Sequence, residues 1–155
     1  MDAMKLPANS RCSVARSLEV LGQKWTLLIV RDVFRGFSRF AEFRTRLGIP
    51  SDVLTARLEV LVTEGILERR PYQQPGERSR EEYVLTETGR ALIPVLAAFS
   101  EWGDTYRPTG YGPASVYVDS DDRPVRVAFI GPDGAEVDPS EVRSISGPGS
   151  LLATA

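Results

Sequence analysis

A single cysteine and the lack of any histidine set the chemical limits of this 155-residue chain. Without imidazole there is no Ser-His or Cys-His nucleophile pair, no imidazole acid–base chemistry and no zinc site of the Cys/His type. Carboxylates are present, but no glycine-rich phosphate loop accompanies them, so nothing argues for an enzyme and neither metal nor cofactor is expected. What remains is one thiol and a set of arginines. Cys12 stands at the start of a helical pattern, beside Arg11 and one turn before Arg16. Helix amides and nearby cations both favour the thiolate, the reactive form. With no second cysteine, a disulfide would form only across two copies or with a small thiol, and alkylation is the other route. The competing reading is a capping or buried cysteine that never reacts.

The arginines are unevenly placed. Residues 1–106 carry 15 Lys+Arg against 14 Asp+Glu, and residues 107–155 carry 4 against 7. Between Arg35 and Arg57 there are five arginines and two acids, and from Arg69 to Arg80 four arginines and one acid. Two basic segments inside a chain of net charge −2 point to a local anionic partner, although a charge cluster is also what an ordinary solvated face looks like.

The elements that would position these groups follow from periodicity. Val14, Leu18 and Leu21 recur at helical spacing up to Gly22, and KWTLLIVRDVF is apolar on nearly all sides, the pattern of a helix central to a small bundle. A third helix is expected from Ser38, as N-cap, to Leu47, burying Phe40, Phe43 and Leu47. Gly48, Ile49 and Pro50 make a tight turn, after which Ser51 can cap a fourth helix to about Glu64 with Leu54, Leu58, Leu61 and Val62 in one stripe. Two such helices on a short glycine turn read as a helix-turn-helix. Extended runs at 66–73 and 82–85 flank the turn signal Gln74-Pro75-Gly76-Glu77, a hairpin in the position of a wing. A helix is then expected from Thr86 to Tyr106, kinked near Arg90 by Pro94, with Leu92, Val95, Phe99, Trp102 and Tyr106 along a seam of the kind that pairs helices.

After Tyr106 the composition changes to a Pro/Gly linker. Ala114 to Ile145 reads as short strands, with a hairpin turn at Asp133-Gly134. The fold class expected is mainly α (α+β): a winged helix-turn-helix with a long C-terminal dimerisation helix and a small β-rich C-terminal extension. The expected division is an N-terminal arm at 1–10, a DNA-binding and dimerisation domain at 11–106, the extension at 107–145 and a disordered tail at 146–155. No apolar run approaches the length of a membrane span, and MDAMKLPANSR lacks the apolar core of a signal peptide, so a cytoplasmic protein is expected.

Certain residues within this frame are specific. Cys12, GQKW (Gly22–Trp25), Arg39-Phe40, LTARLEVLVTEGIL (Leu54–Leu67), EYVLTETGR (Glu82–Arg90) and EWG (Glu101–Gly103) together resemble the HxlR-type family of bacterial winged-helix regulators. The resemblance covers about residues 11–106. It implies a homodimer joined through the first and last helices, with the fourth helix in the DNA major groove and the wing along the flanking backbone. It also implies that a cysteine at the place of Cys12 serves some members as a sensor of oxidants, quinones or aldehydes.

On that footing Ser51, Asp52, Thr55, Ala56 and Arg57 are the candidates for meeting base edges. Arg57 either binds guanine or pairs with an acid or phosphate, and Asp52 either accepts from cytosine or favours the helix dipole as a first-turn acid. Ser38, Arg39, Arg44 and Arg46 are candidates for phosphate contacts, and Arg78 and Arg80 for contacts from the wing. Arg69 and Arg70 are adjacent, so at most one of them faces DNA. Val14, Leu18, Leu21, Leu92, Val95, Phe99, Trp102 and Tyr106 are the candidate dimer surface. Trp25, Phe40, Phe43 and Trp102 could line a ligand pocket, but aromatics at helical spacing read first as core. The function expected is a dimeric regulator, more readily a repressor, on a pseudo-palindromic operator, released by an oxidant or electrophile through Cys12. The rivals are a winged-helix protein-interaction module and a regulator controlled by a non-covalent small molecule.

Overall fold

In the computed structural model, residues 11–150 are described, so the 1–10 arm and the last five residues of the tail lie outside the described residues. Two compact units are distinguished, residues 1–93 and 94–155, so the long C-terminal helix groups with the extension that follows it.

The first unit runs α1 (Ser13–Leu21), α2 (Lys24–Phe34), α3 (Phe40–Leu47), α4 (Ser51–Thr63), β1 (Leu67–Tyr72), β2 (Arg80–Leu85) and the short α5 (Glu87–Arg90). Its core is formed by Ile29 and Val30 of α2, Phe43 of α3, Leu54, Leu58 and Leu61 of α4, and Leu67, Tyr83 and Leu85 of the hairpin. The apolar α2 is central, as its pattern requires, because it contacts α1, α3, α4 and β2. Phe43 meets the Tyr83 ring edge-on at 6.3 Å, which ties α3 to the wing.

Two helix starts differ from expectation. Ser38 does not cap α3. Its carbonyl accepts from the Tyr83 amide at 2.8 Å, and Arg39 bridges Glu82, so residues 38–39 are drawn alongside β2 as extended chain. The cap comes from inside α3, where the Glu42 carboxylate accepts from the amides of Ser38 and Arg39 at 2.9 and 2.8 Å. Ser51 does not cap α4 either. Pro50, extended at φ −58° and ψ 143°, holds the cap position and places Ser51 in the first turn.

The expected long helix is broken rather than kinked. Thr86 caps its start, accepting from the Gly89 amide at 3.1 Å, but α5 is only four residues long. A new helix, α6 (Ile93–Tyr106), begins beyond it. Pro94 has no amide to offer and would collide with the carbonyl of Arg90, whereas in the first turn of a helix neither matters.

The second unit is α6 and the extension. Its strands β3 (Phe129–Ile130) and β4 (Glu136–Val137) have two residues each and pair antiparallel across Gly131-Pro132-Asp133-Gly134-Ala135. A second turn spans Asp119–Arg123, beside a bridge between Val118 and Pro124. The extension is therefore hairpin-like, but much poorer in strand than its alternating sequence suggests. Pro124 withholds a ladder amide, and the alternating Val125, Val127, Phe129 and Ile130 remain exposed rather than covering a sheet face. Hydrogen bonds join this segment to α6: the Val127 amide donates to the Glu101 carboxylate at 2.9 Å, and Ser100 Oγ lies 3.3 Å from the Tyr117 hydroxyl.

Candidate nucleic-acid interface

The turn between α3 and α4 is set by three consecutive residues. Gly48 adopts φ 62°, a left-handed conformation costly for other residues, and its amide closes α3 on the Arg44 carbonyl. Ile49 is buried and anchors the turn, and Pro50 then opens α4. Leu54, Leu58 and Leu61 bury one face of α4. This leaves Ser51, Asp52, Thr55 and Ala56 exposed together at the N-terminal end, with Arg57 half-buried on the flank. The Thr55 hydroxyl donates to the Ser51 carbonyl at 2.9 Å, so its outer surface is an oxygen lone pair and a methyl group. Asp52 lies in the first turn, where the helix dipole favours an acid.

The arginines of residues 39–80 sort into two groups. Arg44, Arg57 and Arg78 make no ion pair or side-chain hydrogen bond among the described residues. The others are engaged. Arg39 lies 4.3 Å over the Tyr72 ring, and Arg80 reaches Glu77 at 3.8 Å, an exposed pair worth at most about 1 kcal/mol. Arg70 pairs with Glu68 on its own strand, and Arg69 with Glu81 across the hairpin at 3.8 Å. Arg46 is fixed most firmly, with its Nε donating to Asp32 at 3.2 Å and its guanidinium stacked 3.6 Å from the Phe37 ring centre.

Asp32 and Arg31 were not among the residues singled out from sequence. Asp32 is fully buried in α2, and Arg31 donates to it through Nε at 3.0 Å and Nη2 at 2.8 Å. A buried carboxylate carries a desolvation cost of several kcal/mol unless it is paired, so these guanidiniums are part of the fold. The available signal was an acid set among apolar residues of a central helix and followed by a cation-rich one.

The wing is built as expected. β1 and β2 pair in register from Leu67 opposite Leu85 to Tyr72 opposite Arg80. The Glu77 amide donates to the Gln74 carbonyl at 3.0 Å, closing the turn beside which Arg78 and Arg80 stand. Between α3 and this hairpin lies an open groove of about 550 Å³ lined by Arg39, Phe40, Tyr72, Arg80 and Tyr83 among others. Of the aromatics considered for a pocket, Phe43 is core, Phe40 and Trp25 are half-buried, and Trp102 is exposed.

Cys12 is an exposed free thiol at the N-cap position of α1. Arg16 is turned to Ser13 Oγ at 3.2 Å and the Arg11 carbonyl at 3.4 Å. Of the candidate dimer residues, Val14 and Leu18 on α1 and Val95, Phe99, Trp102 and Tyr106 on α6 are exposed. Leu21 and Leu92 are half-buried and line a cavity of about 200 Å³ within the first unit, with Val20 and Ile66. Among the described residues no helix is long and apolar enough to cross a membrane, and no three His, Cys, Asp or Glu side chains gather as metal ligands would.

The model of the HxlR-like helix-turn-helix family matches residues 20–111, well over half of the chain. The chain belongs to this family. An uncharacterized HTH-type transcriptional regulator of Mycobacterium tuberculosis is 46% identical over 101 residues, 65% of this chain and 63% of the relative, so the match spans less than two thirds of that relative's length. Among solved structures, PA1607, described as a candidate transcription factor, superimposes with a TM-score of 0.76 at 37% identity over 89% of this chain and 96% of its own. Coverage of that extent takes in most of the residues after Tyr106. The reduced redox regulator HypR matches with a TM-score of 0.55 at 37% identity, over 61% of this chain and 92% of its own. The winged helix of this HxlR-family chain is thus shared with both structures.

Proposed function

We propose that the protein is a DNA-binding transcription regulator, not an enzyme, that acts in the cytoplasm as a homodimer on a pseudo-palindromic operator, as a repressor. The observation that carries this reading is the N-terminal end of α4. Its buried leucine stripe presents Ser51, Asp52, Thr55 and Ala56 outward, and Arg44, Arg57 and Arg78 make no ion pair or side-chain hydrogen bond among the described residues. Residues 11–106 supply DNA binding and dimerisation, and residues 107–145 form the C-terminal extension that follows α6. The exposed apolar side chains of α1 and α6 are the surface that a second copy covers, which sets two recognition helices about 34–36 Å apart.

The signal is an oxidant or electrophile acting at Cys12. Exposure of the thiol and the likeness to a redox regulator support this, with a non-covalent inducer as the other reading. The test is binding of the full chain to labelled DNA from its own upstream region, followed by anisotropy across a salt series. Neutralisation of several phosphates gives a log–log slope of about −0.9 per contact. A flat or absent dependence rejects DNA as the partner and favours a protein-binding module.

A further inference from the structure

We propose that Arg31 and Arg46, held side by side by the buried carboxylate of Asp32, form a fork that grips one phosphodiester of the DNA backbone. The inference rests on the DNA-binding reading and adds to it a site built mainly by α2, the helix behind the helix-turn-helix.

Three observations carry it. The first is the arrangement of charge. Arg31 takes one oxygen of Asp32 through two N–H groups, at 3.0 and 2.8 Å, and Arg46 takes the other oxygen through Nε at 3.2 Å. One guanidinium suffices to neutralise a buried carboxylate, so the second leaves the triad with one positive charge in excess. Both cations bond to a single carboxylate, so they are close neighbours in spite of their repulsion.

The second is exposure. The Asp32 side chain is 0% exposed, while those of Arg31 and Arg46 are 34% and 35% exposed. The carboxylate is closed to solvent, and about a third of each arginine side chain is open to it. Guanidinium donors in a fixed fork match a tetrahedral phosphate better than mobile side chains do, because less rotamer freedom is lost on binding.

The third is rigidity. Arg46 is also clamped against the Phe37 ring at 3.6 Å, and it lies in the last turn of α3, one residue before the end of the first helix of the helix-turn-helix. In such motifs the first helix crosses the phosphate backbone. Asp32 is accordingly a positioning residue that acts through the two arginines.

The test compares the wild type with Arg31→Met, Arg46→Met and the double variant. Methionine retains an apolar stem, in position 46 over Phe37, and removes the donors. Arg143→Met in the extension controls for the loss of a surface charge. Anisotropy with the upstream DNA is followed over the same salt series. The double variant is expected to lose about 0.9 from the magnitude of the slope, the value of one phosphate contact, with each single variant losing part of it and Arg143→Met none. If the double variant does not fold, the single variants, each of which leaves Asp32 one partner, decide the matter. Asp32→Asn gives an independent arm: it makes the protein more positive, yet affinity falls if positioning governs. Wild-type binding with a steep slope that all the arginine variants reproduce overturns the fork and leaves the regulator intact. A wild type without salt-dependent binding overturns both.

Discussion

Gly89 stands directly against the backbone carbonyl of Ile66: a Cβ at position 89 would lie 2.2 Å from that oxygen and 2.9 Å from Cδ2 of Leu85. The same carbonyl accepts from the Thr86 amide at 3.1 Å, so it cannot move aside without breaking the junction between α4, the wing and α5. Gly89→Ala is therefore expected to destabilise the protein by about 1–3 kcal/mol, the usual range for forced overpacking. Urea denaturation should show a lower midpoint with an unchanged slope. An unchanged midpoint would mean that the α5 turn is loosely held.

Arg57 and Arg78 differ in a way that binding to altered operators can resolve. Arg57 is half-buried on the flank of the recognition helix, and Arg78 is fully outside on the wing. Arg57→Gln is expected to relax preference at one base pair by about 1–3 kcal/mol. Arg78→Gln should weaken all sequences alike and reduce the salt slope by about 0.9. A uniform loss from Arg57→Gln would reassign that residue to the backbone.

On α6, Phe99, Trp102 and Tyr106 are 62%, 55% and 67% exposed, with Trp102 and Tyr106 in tilted contact at 5.6 Å. Aromatic surface of this size in one helical stripe is the kind a partner copy covers. Trp102→Glu should convert a dimer to monomer in sedimentation at micromolar concentration, with the helical circular dichroism retained. A wild type that sediments as a monomer would remove the dimer from the proposal.

The legible part of the fold was that which local chemistry encodes. Gly48-Ile49-Pro50 and the leucine stripe of α4 name a turn and a buried face without reference to anything distant, and the Pro75-Gly76 turn does the same for the wing. The misread positions were those where a distant group competes. Ser38 has the chemistry of a cap, but β2 claims its backbone, and Pro94 breaks a helix whose apolar spacing runs on past it. Asp32 was illegible because one of its partners, Arg46, lies on another helix. In the extension, alternation without a second apolar layer produced turns and little sheet.

The Asp119 turn gives a pH prediction of definite sign. Its carboxylate accepts from Arg123 Nε at 2.8 Å and from the amides of Arg123 and Asp121 at 3.0 and 2.9 Å. The Arg123 side chain, then these amides, hold its carboxyl below the ordinary 3.8. A depressed folded value means that the turn is favoured above the unfolded value and loses this support as pH falls through the folded one. An NMR titration should place the Asp119 midpoint below 3.8, with the Val125–Tyr117 backbone pairing weakening as pH falls through that midpoint and no such step in Asp119→Asn. A midpoint at or above the ordinary value would reject the assignment.

Cys12 poses the sharpest question about regulation. The thiol is exposed at the first residue before α1, on the helix that also exposes Val14 and Leu18. Oxidation to a mixed disulfide or alkylation adds bulk at that helix start, and an interchain disulfide would fix two α1 helices relative to each other. Either change acts on the surface proposed for the dimer, and so on the spacing of the recognition helices. The protein should therefore be released from a pre-formed DNA complex by diamide or a quinone, as followed by anisotropy, whereas Cys12→Ser should stay bound. With diamide alone, release would be reversed by dithiothreitol, and with a quinone it would persist. Release of both proteins would trace the effect to the reagent, and a complex that survives in both would leave the regulator under a non-covalent ligand.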